Sequence, residues 1–199
     1  MITDINTAWD ELRERVKACK RCGLCTTRKN TVFGEGPVHN CRCVIIGEAP
    51  GQDEDESGRP FVGSAGQLLT KILEDGGHIL RDSVYIMNVI KCRPPNNRDP
   101  NKGEMAACND FLEAQLALLH PDIVVTLGNI STKWLTHNDT GITRRHGRWE
   151  EWRGIRLFPM YHPSYLLRDN GFTNITELTR QTWQDVLNLK NELDKLQSH

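Results

Sequence analysis

No run of apolar residues in this 199-residue chain is long enough to span a bilayer, and no charged-then-apolar segment resembles a secretory signal. The expectation is a soluble, cytoplasmic protein with no membrane partner. An excess of one charge is missing too. Lys and Arg total 25 against 26 Asp and Glu, a net charge of −1, which excludes a histone-like electrostatic grip on nucleic acid. There are no internal repeats, no low-complexity tracts and no break in composition, so residues 1–199 read as one domain with one core. There is also no G-x-G-x-x-G, and no glycine is followed by Lys-Ser or Lys-Thr. A nucleotide-phosphate loop is therefore poorly supported.

What the chain does have is glycine, proline and cysteine in telling places. Residues 47–66, GEAPGQDEDESGRPFVGSAG, follow the apolar run Cys43-Val44-Ile45-Ile46. A buried strand that opens into a Gly/Pro-rich loop, carries a carboxylate at its end and re-enters a helix builds a pocket at the carboxyl end of a sheet. Residues 84–89 (VYIMNV) form a second strand with an amide near its end, and Tyr161-His162-Pro163 places an imidazole at another. Further strands are predicted at 122–127 and 155–160. Helices are predicted at 8–18, at 64–74 with Ser64 as cap, at 104–119, at 130–135 and at 175–196. This alternation predicts a three-layer α/β/α fold around a central, mostly parallel four-stranded sheet.

Residues 91–103 hold three prolines and several Asn, a long irregular loop that something must hold in place. Its Lys91, Arg93, Arg98 and Lys102, with Arg144, Arg145, His146 and Arg148 further on, allow a locally basic face on a neutral molecule.

Seven cysteines are many for a chain in a reducing compartment, where they serve as metal ligands, catalytic groups or plain thiols rather than disulfides. Cys19 and Cys22 form a C-x-x-C pair, Cys92 lies on the proline loop and Cys108 in the helix after it. These four thiols suit iron–sulfur or zinc. Zinc sites usually show a second short pair, and Cys92 and Cys108 are too far apart in sequence for one, so a cluster is the better reading. Cys25 extends the spacing toward a ferredoxin-like run whose fourth position is Lys29, and Cys41 and Cys43 read as plain thiols at the start of the first strand.

Taken together, GEAPG, GRPFVGSAG, NVIKCRPPNNRDP, Cys108, YHPSYLLR and the leading Cys19-x-x-Cys22 are similar to the family 4 uracil-DNA glycosylases, from about residue 19 to 168. The resemblance implies a monomeric, monofunctional enzyme that flips deoxyuridine out of single- or double-stranded DNA, releases uracil and leaves an abasic site. It implies a [4Fe-4S] cluster on Cys19, Cys22, Cys92 and Cys108. It further implies that Glu48 positions or activates the water, Phe61 stacks on the base, Asn88 reads its edge and His162 stabilises the leaving base. Ala49 and Gly51 stand where family 1 enzymes carry a catalytic Asp and a thymine-barring Tyr, so thymine must meet another wall. Residues 96–103 contain no His, which argues against the covalent capture of a related group.

The chemistry asks for the same residue types. Uracil leaves as an anion with charge on O2, which a donor from His162 would stabilise most in the transition state. An amide can accept from N3–H and donate to O4, a pattern cytosine cannot match. Within Ser164, Tyr165, Leu166, Leu167 and Arg168, an apolar residue would fill the stack that the extruded base leaves, and Arg168 would hold phosphate. Two rivals belong to other classes: an iron–sulfur DNA-binding module without activity, and a zinc-stabilised nucleotide-binding protein.

Overall fold

The computed structural model describes residues 4–168 and 176–197. Four apolar strands, β1 (Cys43–Gly47), β2 (Tyr85–Asn88), β3 (Ile123–Leu127) and β5 (Ile155–Met160), are parallel neighbours in the order β2-β1-β3-β5. Because side chains alternate along a strand, each strand feeds two cores. Val44, Ile46, Tyr85, Met87, Val124 and Leu157 face one side, with Trp9 and Leu12 of α1 (Ile5–Lys17) and Phe111 and Leu112 of α4 (Lys102–Leu119). Cys43, Ile45, Ile86, Ile123, Val125 and Phe158 face the other. There they meet Leu68 and Leu69 of α3 (Ser64–Lys71), Leu166 of α7 (Pro163–Arg168) and Val186 and Leu189 of α8 (Glu177–Gln197). The three-layer expectation holds.

The sheet has five strands rather than four. The additional β4 (Glu150–Trp152) runs antiparallel to β5 at the edge. It escapes sequence reading because it is three residues long and its turn, Arg153-Gly154, lacks the usual Asn-Gly signal. Both turn residues nonetheless have positive φ, 52° and 77°, the twist that matches a two-residue hairpin.

The helix after the Gly-rich loop also differs from expectation. Its cap is Gly63 rather than Ser64, and after Lys71 it widens into a π turn at Ile72–Gly76. Gly76 lies against the Trp183 ring of α8, so close that a Cβ would overlap it. The remaining helices are α2 (Gln52–Ser57), α5 (Gly128–Thr136) and α6 (Ile142–Arg145). The chain leaves β1 first toward β2 and later returns on its other side as β3, so strand order switches at β1. In open α/β sheets, the crevice beyond the carboxyl ends at such a switch is the expected binding place.

Candidate active site

A cavity of about 560 Å³ occupies that crevice. Glu48 and Ala49 follow the end of β1, Asn88 ends β2, His162 follows β5, and Phe61 comes from the loop between α2 and α3. Gly47 and Asn88 are paired across the β1–β2 ladder, and Gly47 has to be glycine. A Cβ there would lie 2.4 Å from the Asn88 side-chain oxygen and 2.5 Å from the Phe61 ring, so only hydrogen lets amide and ring close over the strand end. Phe61 itself sits at φ 51°, in the left-handed region that side chains rarely adopt. Its backbone rests directly on Gly66 of α3, where no Cβ would fit.

The electrostatics of the cavity differ from residue to residue. The Asn88 side chain is 1% exposed, and its Oδ1 has no hydrogen-bond partner among the described residues. An orphaned buried oxygen costs about 1–3 kcal/mol, which a donor arriving with a ligand would recover. Burial and the nearby Asp99 charge push the Glu48 carboxyl up to about 7, against the opposing pull of Arg168. Burial, aided by the Arg168 charge and opposed by Glu54, pushes His162 down to about 4. The imidazole is therefore neutral at physiological pH. The Ser164 backbone N–H donates to its Nδ1 at 3.2 Å, and the Ser164 hydroxyl lies 2.8 Å from the same nitrogen. With Nδ1 accepting, the proton resides on Nε2. The His162 ring also lies 5.9 Å from that of Phe61.

Glu54 appears in the sequence only as one of a run of acidic residues. It is in fact the clasp of the site. Its Oε2 accepts from Gly51 N–H at 3.0 Å, and its Oε1 accepts from the N–H groups of Val62 and Gly63 at 2.8 and 2.9 Å. One carboxylate thus ties the GEAPG loop to the GRPFVG loop and fixes the mouth of the cavity. The available signal was the capping-box spacing from Gly51 to Glu54; the second loop could not be inferred from it. Asp99 was missed as well, being counted within an irregular loop.

In α7, Leu167 and Arg168 line the cavity, and Tyr165 is 48% exposed with the Arg168 guanidinium 6.0 Å from its ring. Leu166 is 2% exposed within the core, where it cannot enter a DNA stack without unpacking the helix. The basic clusters also divide. Lys91 is fully buried, Arg145 is buried in an ion pair with Glu150, and His146 bonds to Asp185, so these three do not form a basic face. Arg98 is exposed but is held by both oxygens of Glu104.

Beneath the loop of residues 91–103, Cys19, Cys22, Cys25, Cys92 and Cys108 line one small cavity between α1 and α4. No three Cys, His, Asp or Glu among the described residues converge as a site for a metal ion. Arg28 donates to the Cys92 sulfur at 3.1 Å and to the Cys19 carbonyl oxygen at 2.8 Å. Burial pushes Cys92 up to about 11 despite Arg28, with Cys108 and Cys22 adding to the rise. Cys108 is likewise raised by burial and lowered by Lys91. Cys41 and Cys43 are buried away from this cavity, and burial pushes both thiols upward.

The uracil DNA glycosylase superfamily model matches residues 33–187. A type-4 uracil-DNA glycosylase of Thermotoga maritima is 45% identical over 184 residues, covering 92% of this chain and 93% of that protein. The chain belongs to the type-4 uracil-DNA glycosylases. Proteins of the same description from Sulfurisphaera tokodaii and Saccharolobus solfataricus are 42% and 37% identical, covering 84% and 91% of this chain and 80% and 87% of theirs. In this type-4 glycosylase, Glu48, Ala49, Gly51, Phe61, Asn88, Ser164, Leu167 and Arg168 share one cavity with His162, while the four predicted cluster cysteines share the other. Among the described residues no helix is long and apolar enough to cross a membrane.

Proposed function

We propose that the protein excises uracil from DNA by hydrolysing the N-glycosidic bond, with the cavity at the β1 switch point as its active site. The unpartnered Asn88 oxygen carries this reading. It stands buried in a cavity shared with a ring, a carboxyl group and an imidazole, and uracil N3–H is the donor it lacks. Asn88 Nδ2 then donates to O4, and Phe61 covers the face of the base. His162, neutral and carrying its proton on Nε2, donates to O2 as charge develops there. A neutral donor closer in pKa to the leaving base gains strength as the bond breaks, whereas an imidazolium would also have bound the ground state. Ionised Glu48 accepts from the attacking water and offsets positive charge on the sugar. Leu167 or Tyr165 fills the vacated stack, and Arg168 holds phosphate. Ala49 and Gly51 give the base backbone contact along one edge.

Cys19, Cys22, Cys92 and Cys108 would hold a [4Fe-4S] cluster, and the donor set fits such a group. Four thiols face one cavity, with the cations of Arg28 and Lys91 set against an anionic, thiolate-ligated centre. The cluster would supply a structural tie between α1, the loop of residues 91–103 and α4. Cys25 lines the same cavity and is left as a bystander. One chain provides every group named here around one sheet, which supports a monomer acting as one domain. Its substrate is uracil in single- or double-stranded DNA, and its setting is the cytoplasm, with DNA holding it to the nucleoid.

The test is single-turnover excision from a uracil-containing oligonucleotide. The wild type should release uracil and leave an abasic site. Asn88→Asp should be slowed strongly, by up to about 10⁴-fold, because a carboxylate cannot donate to O4; an unchanged rate would remove Asn88 as the reader. The purified protein should be brown, with about four irons per chain, and should lose its colour in Cys92→Ala. A colourless protein containing one zinc would overturn the cluster.

A further inference from the structure

The most deeply buried charge among the described residues is Lys91, at 1% exposure, and no step above uses it. Its Nζ donates to the Asn88 backbone oxygen at 2.7 Å. Its carbonyl oxygen accepts from Val32 N–H at 2.8 Å, which fixes the backbone at the point where the chain leaves β2. On its other side the charge faces Cys108 and Cys92, which line one cavity with it. Lys91 therefore bonds to the strand end that presents Asn88 to the base and shares a cavity with two of the cysteines assigned to the cluster.

An ammonium carries three donors, and the Asn88 oxygen takes one of them. The remaining charge lies in the interior, where it is tolerated only beside compensating negative charge. Lys91 lines the same cavity as Cys92 and Cys108, and a thiolate-ligated cluster held there would be the anionic partner on that side. With the cysteine site loaded, the ammonium is anchored on both sides and Asn88 is held by its carbonyl. Without a cluster the Asn88 oxygen is the partner recorded for the ammonium, so the hold on Asn88 depends on what the cysteine site contains.

We propose that Lys91 is a positioning residue that couples occupancy of the cysteine site to base reading by Asn88. The inference rests on the cluster assignment and on uracil as the ligand. It adds a direction of influence: the iron–sulfur site tunes recognition of the base rather than only the hold on DNA. Coupling of this kind is reciprocal, so a base in the cavity must also be felt at the cluster.

The test uses iron-loaded wild type and Lys91→Met, a side chain of similar length without charge. The probes are a single-stranded oligonucleotide with a non-cleavable 2′-fluoro-deoxyuridine and a matched one with a tetrahydrofuran abasic analogue. Lys91→Met should bind the uracil probe about tenfold more weakly, with its affinity for the abasic analogue unchanged. In the wild type, the uracil probe and not the abasic one should alter the visible circular dichroism of the cluster, and Lys91→Met should lose that response. A loaded Lys91→Met that keeps both the wild-type preference for the uracil probe and the spectral response would overturn the coupling. If this variant fails to fold or to retain iron, the wild-type spectra decide, because a cluster signal that is the same with either probe also overturns it. A wild type without iron removes the cluster assignment and the coupling together, and metal analysis alone distinguishes that failure.

Discussion

Glu48 and His162 are displaced in opposite directions by the same burial. His162 titrates at about 4 in the fold against an ordinary 6.5, so between those values the unfolded chain binds a proton the native state refuses. Its contribution makes stability rise with pH across that window and fall as acid is added. Glu48 titrates at about 7 against 4.5. The native state then holds a proton the unfolded chain has lost, and stability falls as pH rises from 4.5 to 7. In the wild type the two slopes largely cancel. Glu48→Gln should therefore show Tm rising between pH 4 and 6.5, and His162→Ala should show Tm falling between pH 4.5 and 7; equal slopes would show that the displacements do not survive in solution. The catalytic counterpart is an acid limb in kcat/KM near the Glu48 value, since the carboxylate must be ionised. Asp99→Asn should move this limb to lower pH and Arg168→Gln to higher pH, because one removes a repelling and the other an attracting charge. A midpoint that ignores both substitutions would assign the limb to another group.

Among the elements, α7 and the two Gly-rich loops decide how the site meets DNA. The loops are held by the Glu54 carboxylate and not by glycine content, since three backbone N–H groups converge on it. In α7, periodicity alone made Leu166 and Leu167 equal candidates for the wedge. Packing separates them, because Leu166 is buried within the core while Leu167 is partly buried against its edge and also lines the cavity. Leu167→Ala should reduce excision from a U·A pair more than from single-stranded DNA, where no stack needs opening. Leu166→Ala should instead lower stability by about 2–5 kcal/mol and affect both substrates alike. Equal losses from Leu167→Ala on the two substrates would pass the wedge to Tyr165. The loop of residues 91–103 shows a similar division. Something was expected to hold it in place, with a metal centre as one means; within the loop, Arg93 bonds to Asn97, Arg98 clamps Glu104, and Asn101 caps α4 in a reciprocal box with Glu104.

Across the whole molecule, the two cavities lie on either side of the end of β2, with Asn88 facing one and Lys91, Cys92 and Cys108 the other. The near-neutral composition is distributed in keeping with this. Acidic side chains clasp loops and cap helices, and part of the basic complement is buried as structure, which leaves Lys102, Arg144, Arg148 and Arg168 among the exposed cations open to a polyanion.

From sequence by itself, the four apolar strands, their alternation with helices and the placing of Glu48, Asn88 and His162 at strand ends were legible, because apolar runs and Gly/Pro breaks are local signals. Cys19, Cys22, Cys92 and Cys108 could be read as one set of thiols, and it was the family resemblance, not spacing, that set them apart from Cys25. Short β4 was not legible, because three residues carry too little pattern. Nor were the orphaned Asn88 oxygen, the Glu54 clasp, the Lys91 bridge or the inward turn of Leu166. Each depends on which distant segments share an interior. A carboxylate becomes a clasp only when two loops point their N–H groups at it, and an ammonium becomes a bridge only when burial removes the water that would otherwise have solvated it.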